Sequence, residues 1–545
     1  MSGSMESHCL SFREVPHATK LFSTFLENFG EVSGLYAHPP TEAGVLDASR
    51  EIRLEPEVRR RVAEVLREQN LRLSPGGELD PATERNLNRL GAGAAGIVTG
   101  QQVALFSGPA FSFYKAASAV RISEEITARG TDAVPIFWLA TEDHDLAEVN
   151  HVDWIVREGI AHFGLPLKKE DEGRRVGDVF FNDAITGLVA QAVEALEGPA
   201  AEEVGQALRE SYVPGESYGS AFGKLMARLL AGKGIILIDP LDARLHQLAA
   251  GVYRRALDDS REIRKALLER GKELERAGLH AQVKVTQETT LLFYNVEGRR
   301  EPLRSHNGKF QAGEATFTPD ELRAAIERAP EAFTANVLLR SVVQDTVLPT
   351  AAYIGGPAEI AYMAQVQVVY EKILGRMPAI LHRASFTLVE PAVARLLSKY
   401  GLEVRDVFRG KQQLRSKMEQ KYLPRALAKR FERDEKALVR ILQGYRKPLE
   451  HLDKTLLGSL DHAEAKVLHQ FRELKEKAGR AESFRGGVLD RHERLLCDAL
   501  YPHHELQERT LSLLPALAAH GLGVFDTLMR HASLSGCSQH HILPL

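Results

Sequence analysis

A group of titratable side chains directly follows an apolar stretch in the first third of the sequence. Residues 135–140 read PIFWLA, and Glu142, Asp143, His144 and Asp145 come next. Carboxylates and an imidazole at one place can move protons or bind an ammonium group, so we take these four as candidate catalytic residues. Thr and Asp are also frequent helix N-cap residues, and an ordinary polar loop is therefore the alternative.

A second interpretation of the same stretch is a metal site. In a helix that began near Asp143, the side chains of His144, Glu148 and His151 would lie at i, i+4 and i+7 on one face. Nitrogen and carboxylate ligands at this spacing can hold zinc, as in a metal-dependent hydrolase. The pattern is not HExxH, and no other His or Cys cluster offers a further ligand. The sequence therefore favours acid–base chemistry and predicts no metal.

Polar residues also follow the preceding short apolar run, GIVTG, and begin the helix after it. Amide side chains there can orient a substrate, and Lys115 can meet a phosphate or a carboxylate. The candidate binding residues of this segment are Thr99, Gly100, Gln101, Gln102 and Tyr114.

A third group lies in NVLLRSVVQDTVLPTAAYIGGPAEIAYMAQ, residues 336–365. Arg340, Gln344 and Asp345 are surrounded by apolar residues, where a buried charge needs a partner or a ligand. Glycines before a helix permit close backbone approach, and the free N–H groups of a helix start attract anions. A salt bridge and a tight turn are the structural alternatives. The further candidate binding residues are Gly355, Gly356, Glu359 and Tyr362.

The elements that must position these groups form an α/β pattern. After helical N-terminal residues, with one helix over 54–73, the stretch 96–140 reads strand, helix, strand, which predicts parallel strands. Further strands are predicted at 233–239, before Gly355, and as one strand within 377–390, and an antiparallel meander at 280–312. Because ligands bind outside the carboxyl ends of parallel strands, the three groups are predicted to share one crevice.

From about residue 392 the strand patterns disappear and a heptad pattern predicts a coiled coil. Pro448 lies inside it and predicts a kink or a helix start. A non-enzymatic scaffold built on this coiled coil is the second alternative function. The predicted seam consists of Leu438, Leu442, Tyr445, Leu449, Leu452 and Leu456, followed by Leu460, Ala463, Val467, Phe471 and Leu474.

Composition excludes several classes of protein. The 545 residues carry a net charge of −3, which gives no global case for binding nucleic acid or an anionic membrane. Three distant cysteines form no CxxC pair and fit a reducing cytoplasm. There is no signal peptide pattern and no apolar run of membrane-spanning length. We expect a cytoplasmic protein.

Four stretches carry a family resemblance: VTGQQVALFSGPAFSFYKA, FWLATEDHDLAEVNH, the segment from Asn336 to Gln365, and LYPHHELQERTL. With them, nearly the whole chain resembles the bacillithiol biosynthesis cysteine-adding enzymes, the BshC family. The resemblance implies a Rossmann-like, nucleotidyltransferase-like core with inserted connective segments, a coiled coil and a homodimer. It implies a cysteine ligase that joins cysteine to glucosaminyl-malate in the last step of bacillithiol synthesis.

The resemblance also organises the expected domains. The core is expected over 1–390 with insertions at about 155–230 and 265–330, the coiled coil over 391–500, and C-terminal helices over 501–545 that pack back on the core.

Amide formation requires an activated carboxyl group, an adenylate or an acyl phosphate, so ATP or another nucleotide is a candidate. Our hypothesis is that His144, assisted by Asp143 or Asp145, deprotonates the amine, while Lys115 and Arg340 meet the carboxylate or malate charge. Thr99, Gln101 and Gln102 would orient the substrate, and the Gly355–Gly356 helix start would hold an anionic group.

Overall fold

Helices with an apolar face make up most of the N-terminal region, as the periodicity of residues 54–73 predicts. The computed structural model describes residues 6–420, 425–483 and 487–545. Two units are present, one formed by Ser7–Thr387 with Gln507–Ile542 and the other mainly by Leu388–Leu506. The first elements are strand β1 (His8–Leu10) and helices α1 (Lys20–Glu27), α2 (Glu42–Arg50), α3 (Pro56–Leu73) and α4 (Pro81–Ala92).

The predicted βαβ unit is confirmed. It consists of β2 (Ala95–Gln101), α5 (Phe111–Ala128) and β3 (Ala133–Leu139), and the two strands pair in parallel. The elements that follow are α6 (Leu146–Val149), β4 (His151–Val156), β5 (Gly159–Gly164), α7 (Ala184–Glu194), α8 (Ala201–Ser211), α9 (Tyr218–Leu229), β6 (Ile236–Ile238), α10 (Ala243–Asp258) and α11 (Ser260–Arg276).

The predicted meander is also present, as an antiparallel sheet in the order β10-β9-β8-β7-β11. The chain then returns to the central sheet. The elements of this part are β7 (Thr289–Val296), β8 (Arg299–His306), β9 (Lys309–Ala312), β10 (Ala315–Phe317), α12 (Pro319–Arg328), β11 (Phe333–Ala335), α13 (Val337–Val347), β12 (Thr350–Gly355), α14 (Pro357–Ile373), β13 (Ala379–His382) and β14 (Ser385–Val389).

The central sheet is parallel, with the strand order β13-β12-β2-β3-β6. Every residue of β3 and β12 is buried, as expected for strands covered on both faces. Chain order runs outward from β2 to β3 and β6 in one direction, and from β12 to β13 in the other. The sheet therefore has its topological switch point between β2 and β12, where a ligand crevice is expected.

The single strand predicted within 377–390 is wrong, because the chain forms two strands there. β13 belongs to the central sheet, and β14 belongs to a different sheet. The break lies at Arg383, whose guanidinium group is held by the carboxylate of Glu508. This partner lies 125 residues further along the chain, so the local apolar pattern gives no sign of it.

The second unit is helical. The helices of this unit are α15 (Pro391–Tyr400), α16 (Val404–Phe408), α17 (Lys411–Gln420), α18 (Arg425–Gly444), α19 (Arg446–Leu452), α20 (Leu456–Ser483) and α21 (Val488–Leu500). The first unit then resumes with α22 (Gln507–Thr510), α23 (Leu514–His520), α24 (Val524–His531) and β15 (His540–Pro544), and residues 540–542 of β15 pair with β1.

The heptad seam is not continuous, because the chain turns back after α19. α18 and α20 form an antiparallel hairpin in which the rings of Phe431 and Phe471 lie 5.3 Å apart. A new helix begins at Arg446, two residues before Pro448, as the proline predicts. Tyr445 and Leu452, both predicted seam residues, are 57% and 81% exposed. The heptad pattern thus extends over three helices rather than one. No helix among the described residues is long and apolar enough to cross a membrane.

Candidate active site

A cleft of about 660 Å³ opens at the carboxyl ends of β2, β3 and β12, beside the switch point. Three loops that the sequence predicted to share a crevice meet here, together with α13 and part of the meander. The predicted site residues that line the cleft are Gly100, Gln101, Gln102, Lys115, Glu142, Asp143, His144, Arg340, Gly356, Glu359 and Tyr362.

Lys115 reaches the cleft from the first turns of α5 and is only 3% exposed. Its Nζ donates to the Gly100 carbonyl at 2.7 Å and to Oε1 of Gln101 at 3.0 Å, and it lies 2.5 Å from a carboxylate oxygen of Glu359. Burial lowers the pKa of Lys115, although the Glu359 carboxylate opposes this shift. Gly100 must be glycine, since a Cβ there would lie 2.8 Å from the Trp138 carbonyl oxygen.

The helix start at Gly356 already holds an anion, the side chain of Glu359. The Gly356 N–H donates to this carboxylate at 2.7 Å, and the Tyr353 hydroxyl donates to it at 2.5 Å. Burial opposes ionisation, but Lys115 and these hydrogen bonds hold the pKa of Glu359 below its ordinary value. The sequence predicted that the Gly355–Gly356 helix start holds an anionic group of the substrate. In the structure the Glu359 carboxylate accepts the Gly356 N–H that such a group would use.

Arg340 on α13 has neutral partners in place of a carboxylate. Its guanidinium group donates to the hydroxyl of Tyr353 at 2.9 Å, to that of Tyr362 at 3.5 Å, and to Oε1 of Gln344 at 3.2 Å. The pKa of Arg340 lies above its ordinary value: burial disfavours the charge, but the two tyrosines and Glu359 favour it more. A cation whose charge no partner fully neutralises therefore lines the cleft.

Asp143 and His144 are held by groups from other elements. Asp143 accepts from Nε2 of Gln102 at 2.8 Å and from the His144 N–H at 2.7 Å. Burial alone would raise the pKa of Asp143, but the hydrogen bonds from Gln102 and from the His144 backbone N–H and the charge of Arg300 hold it well below its ordinary range. Asp143 is thus a permanent anion at neutral pH.

Arg300 on β8 determines which ring nitrogen of His144 carries the proton. Its Nη1 lies 2.8 Å from Nδ1 of His144, and a guanidinium group can only donate. Nδ1 is consequently the acceptor, and in neutral His144 the proton is on Nε2. In this arrangement the ring offers a hydrogen-bond donor, which does not fit the general-base role expected from the sequence.

Glu142 has the properties of an acid–base group. Its side chain is 6% exposed and lines the cleft. Burial raises the pKa of Glu142 to about 7, despite the opposing charges of Arg300, Arg175 and Arg340. A carboxyl group with a pKa near the working pH is suited to accept and release a proton.

Six predicted residues do not line the cleft. Asp145 is exposed and caps α6 by accepting a hydrogen bond from the Glu148 N–H. This capping role is the polar-loop alternative considered for the sequence. The Tyr114 ring is buried 4.8 Å from the Phe386 ring, and the Thr99 hydroxyl donates to the Ile354 carbonyl. The other three, which support the wall from behind, are Gly355, Gln344 and Asp345.

The metal face suggested by the sequence does not form. α6 ends at Val149, and His151 begins β4, so His144, Glu148 and His151 do not lie on one helical face. His151 instead lies against His162, with ring centroids 5.3 Å apart. Among residues 6–420, 425–483 and 487–545, no group of three or more His, Cys, Asp or Glu side chains is arranged to hold a metal ion.

Three arginines that line the cleft were not among the site residues predicted from the sequence. Arg300 lies in the meander, Arg383 follows β13, and Arg509 lies in α22. Arg383 and Glu508 form a bidentate ion pair, with side chains 3% and 2% exposed. Arg383 carried the signal that identified Arg340, an isolated charge in apolar sequence. Arg300 stands in a hairpin sequence with no such signal.

Comparison with known proteins covers nearly the whole chain. A family model described as the N-terminal Rossmann-like domain of bacillithiol biosynthesis BshC matches residues 5–384, and one for its C-terminal coiled-coil domain matches residues 386–545. A relative from Koribacter versatilis named "Putative cysteine ligase BshC" is 42% identical over 98% of this chain and 99% of its own length. Relatives of the same name from Solibacter usitatus and Salinibacter ruber are 35% and 30% identical, over 99% and 96% of this chain and 100% and 96% of their own lengths.

Proposed function

This chain belongs to the bacillithiol biosynthesis BshC family, and on that premise we propose that it is a ligase that joins cysteine to glucosaminyl-malate through an amide bond. The product would be bacillithiol, so this is the last step of its synthesis. The observation that carries the proposal is the cleft itself, in which a buried carboxyl group with a raised pKa lies among several cations. A purely structural scaffold would not need this arrangement.

Amide formation has three chemical requirements, and the cleft has groups for each. The attacking ammonium group must lose a proton, and Glu142 can accept it. The negative charge that develops on the carbonyl oxygen must be stabilised, and the donor Nε2–H of His144 is suited to this. The carboxylates of the malate group require cations, and Arg340, Arg383 and Arg509 line the same cleft.

The cysteine carboxylate must also be activated, because a carboxylate is a poor electrophile. A nucleotide such as ATP is the candidate co-substrate, and it would supply an adenylate or an acyl phosphate. Lys115 and Arg383 lie 5.9 Å and 5.4 Å from the ring centroid of Phe111, and these two cations fit an anionic carboxyl or phosphoryl group. Asp143, with its lowered pKa, and Gln102 would bind the amine of a substrate.

The test is incubation of the purified chain with glucosaminyl-malate, cysteine and ATP, with product and released nucleotide read by mass spectrometry. We expect a product with the summed mass of the two substrates minus one water, in equal amount to the nucleotide released. The Glu142→Gln variant serves as the matched inactive control. No product with ATP, with other nucleoside triphosphates or with a preformed cysteinyl adenylate would contradict the proposal.

We further propose that the protein acts in the cytoplasm as a homodimer formed through α18–α20. All three cysteines, Cys9, Cys497 and Cys537, are free thiols, which fits a reducing compartment. Ile441, Tyr445 and Leu452, all in the stretch from α18 to the end of α19, are 59%, 57% and 81% exposed, and we take these large apolar side chains as the candidate dimer contacts.

Sedimentation velocity tests the dimer. We expect twice the chain mass for the wild type and the single chain mass for Leu452→Glu, with Glu450→Lys on the same helix as the matched control. A wild-type protein that sediments as a monomer at micromolar concentration would contradict this assignment.

A further inference from the structure

A buried histidine lies directly behind Glu142, outside the set of residues that line the cleft. His246 is the fourth residue of α10, four positions after the Asp242 N-cap, and is 2% exposed. Its Nε2 lies 3.6 Å from Oε1 of Glu142. Nε2 has no hydrogen-bond partner within the usual distance, which is uncommon for a polar atom this deeply buried.

The other ring nitrogen of His246 has a partner about two turns further along the same face of α10. The Tyr253 hydroxyl lies 3.0 Å from Nδ1, on the same helix, and is itself buried. With the hydroxyl as donor, Nδ1 accepts and the histidine proton is on Nε2. The N–H of His246 then points its positive end at the Glu142 carboxyl group.

We propose that His246 is a positioning residue that holds one oxygen of Glu142 from behind, an inference that rests on the proposed ligase function. Oε1 faces the Nε2–H of His246 at 3.6 Å, a contact that shortens to a hydrogen bond when Glu142 carries its charge, and Oε2 is left for the substrate in the cleft. In the reaction, an N–H bond of the substrate ammonium group breaks, its electron pair stays on nitrogen, and the proton forms an O–H bond with Oε2. The free amine then attacks an activated acyl group.

His246 acts through its dipole and not through a charge. Burial and the nearby charge of Arg175 lower the pKa of His246 to about 4, so the ring is neutral at pH 7. A neutral N–H donor stabilises the ionised form of Glu142 modestly and can remain in contact when the carboxyl group is protonated, because the carbonyl oxygen still accepts. A full positive charge would instead keep Glu142 ionised and prevent it from holding a proton.

The charged groups around this pair are few and remain unchanged in the test variants. Glu142 is faced by Arg300 of β8, Arg340 of α13, Arg175 of the segment before α7, and Asp239, which follows β6. His246 is faced by Arg175, Asp242 and the carbonyl group of Phe333.

The first experiment compares His246→Leu and His246→Gln in ligase assays between pH 5 and 9. Loss of the Nε2–H donor that faces the Glu142 carboxylate is expected to lower kcat about tenfold in His246→Leu with little change in KM. The acidic limb of the kcat/KM profile should move to higher pH, since ionised Glu142 loses its donor. His246→Gln, whose amide can donate from a similar place, should restore most of the activity.

A matched control is His531→Leu on α24, which changes a histidine that does not line the cleft and should leave the profile unchanged. An acidic limb at the same pH in wild type and His246→Leu would overturn the proposal. So would a His246→Gln variant that is as impaired as His246→Leu.

A second readout does not depend on ligase activity. Nitrogen-15 NMR of histidine-labelled protein, with His246→Gln to assign the signal, should show His246 protonated on Nε2, and Tyr253→Phe should mix the two tautomers. Infrared difference spectra against Glu142→Gln should show the carboxyl group titrating at higher pH in His246→Leu. An unchanged titration or an Nδ1–H tautomer overturns the positioning role even when the ligase assay works. Conversely, these shifts in a protein that forms no product would reject only the proposed function.

Discussion

Arg300 donates a hydrogen bond from Nη1 to Nδ1 of His144 at a distance of 2.8 Å, across 156 residues of sequence. The guanidinium group of Arg300 also stacks 3.7 Å from the centroid of the Phe293 ring and donates to the Ala335 carbonyl, so its position is determined from three sides. Since Arg300 cannot accept a hydrogen bond, His144 is constrained to offer Nε2–H. We therefore propose that the His144 imidazole acts as an electrostatic stabiliser and that Glu142 is the base.

This assignment predicts different results for two substitutions of His144. His144→Ala removes the donor and should lower kcat by about 10²–10³-fold, the usual effect of losing one oxyanion donor. His144→Gln retains an N–H donor and should recover much of this loss. Steady-state kinetics at pH 8 distinguish the two roles, because a general base would be equally disabled by both changes. Circular dichroism of each variant checks that the fold is intact.

Glu142 should determine the acidic limb of the activity profile. Burial raises its pKa to about 7, so the active, ionised form is lost as the pH falls through about 7. We expect kcat/KM to rise tenfold per pH unit below that value and to level off above it. Glu142→Gln should lower kcat by about 10²–10⁴-fold at all pH values and abolish this limb. A wild-type profile that is flat from pH 5 to 8 would contradict the assignment.

The same carboxyl group should reduce stability at high pH. Its ordinary pKa is 4.5 and its folded value is about 7, so between these pH values the folded state holds a proton that the unfolded state has released. Stability contributed by Glu142 is therefore lost as the pH rises from about 4.5 to about 7. Glu142→Gln should be more stable than wild type at pH 8, by up to about 3 kcal/mol, and equal to it near pH 4. Urea unfolding at the two pH values measures this difference.

Lys115 and Glu359 should behave as a buried pair. Replacing one partner leaves an uncompensated buried charge, and Lys115→Met or Glu359→Gln alone should lower the free energy of unfolding by about 3–5 kcal/mol. The double variant should lose less than the sum, because neither charge remains. Urea unfolding of the four proteins gives the coupling energy. Arg254→Met, which breaks the exposed pair with Glu327, is the control and should leave the midpoint unchanged.

Arg383 should bind an anionic part of a substrate, and Glu508 should orient it. Arg383→Lys keeps the charge but loses the fork geometry that the Glu508 carboxylate holds. We expect both Arg383→Lys and Glu508→Gln to raise KM for glucosaminyl-malate about tenfold, as for loss of one charge-assisted hydrogen bond, with a smaller change in kcat. Arg323→Lys, on the exposed surface of α12, should have no effect. Unchanged KM values in both variants would exclude an anion-binding role.

The order of the elements could be predicted from the sequence because each pattern is local. The apolar runs before Gly100 and before Glu142, with a helix between them, determine a βαβ unit within about 45 residues. The polar residues at the ends of those strands then had to share one edge of a parallel sheet. The ion pair of Arg383 with Glu508 could not be predicted this way, since the two residues are 125 positions apart.

The sequence by itself determined the βαβ unit, the meander and the helical C-terminal region, which strand ends carry polar groups, and, through the family resemblance, what reaction to expect. The tertiary structure decided how those groups work: Arg300 makes His144 a donor, Glu359 occupies the helix start at Gly356, and His246 lies behind Glu142. The physical reason is the separation along the chain of the residues that interact. Side-chain periodicity reports which face of one element is buried, whereas a hydrogen-bond partner or a shifted pKa depends on atoms brought together from distant parts of the chain.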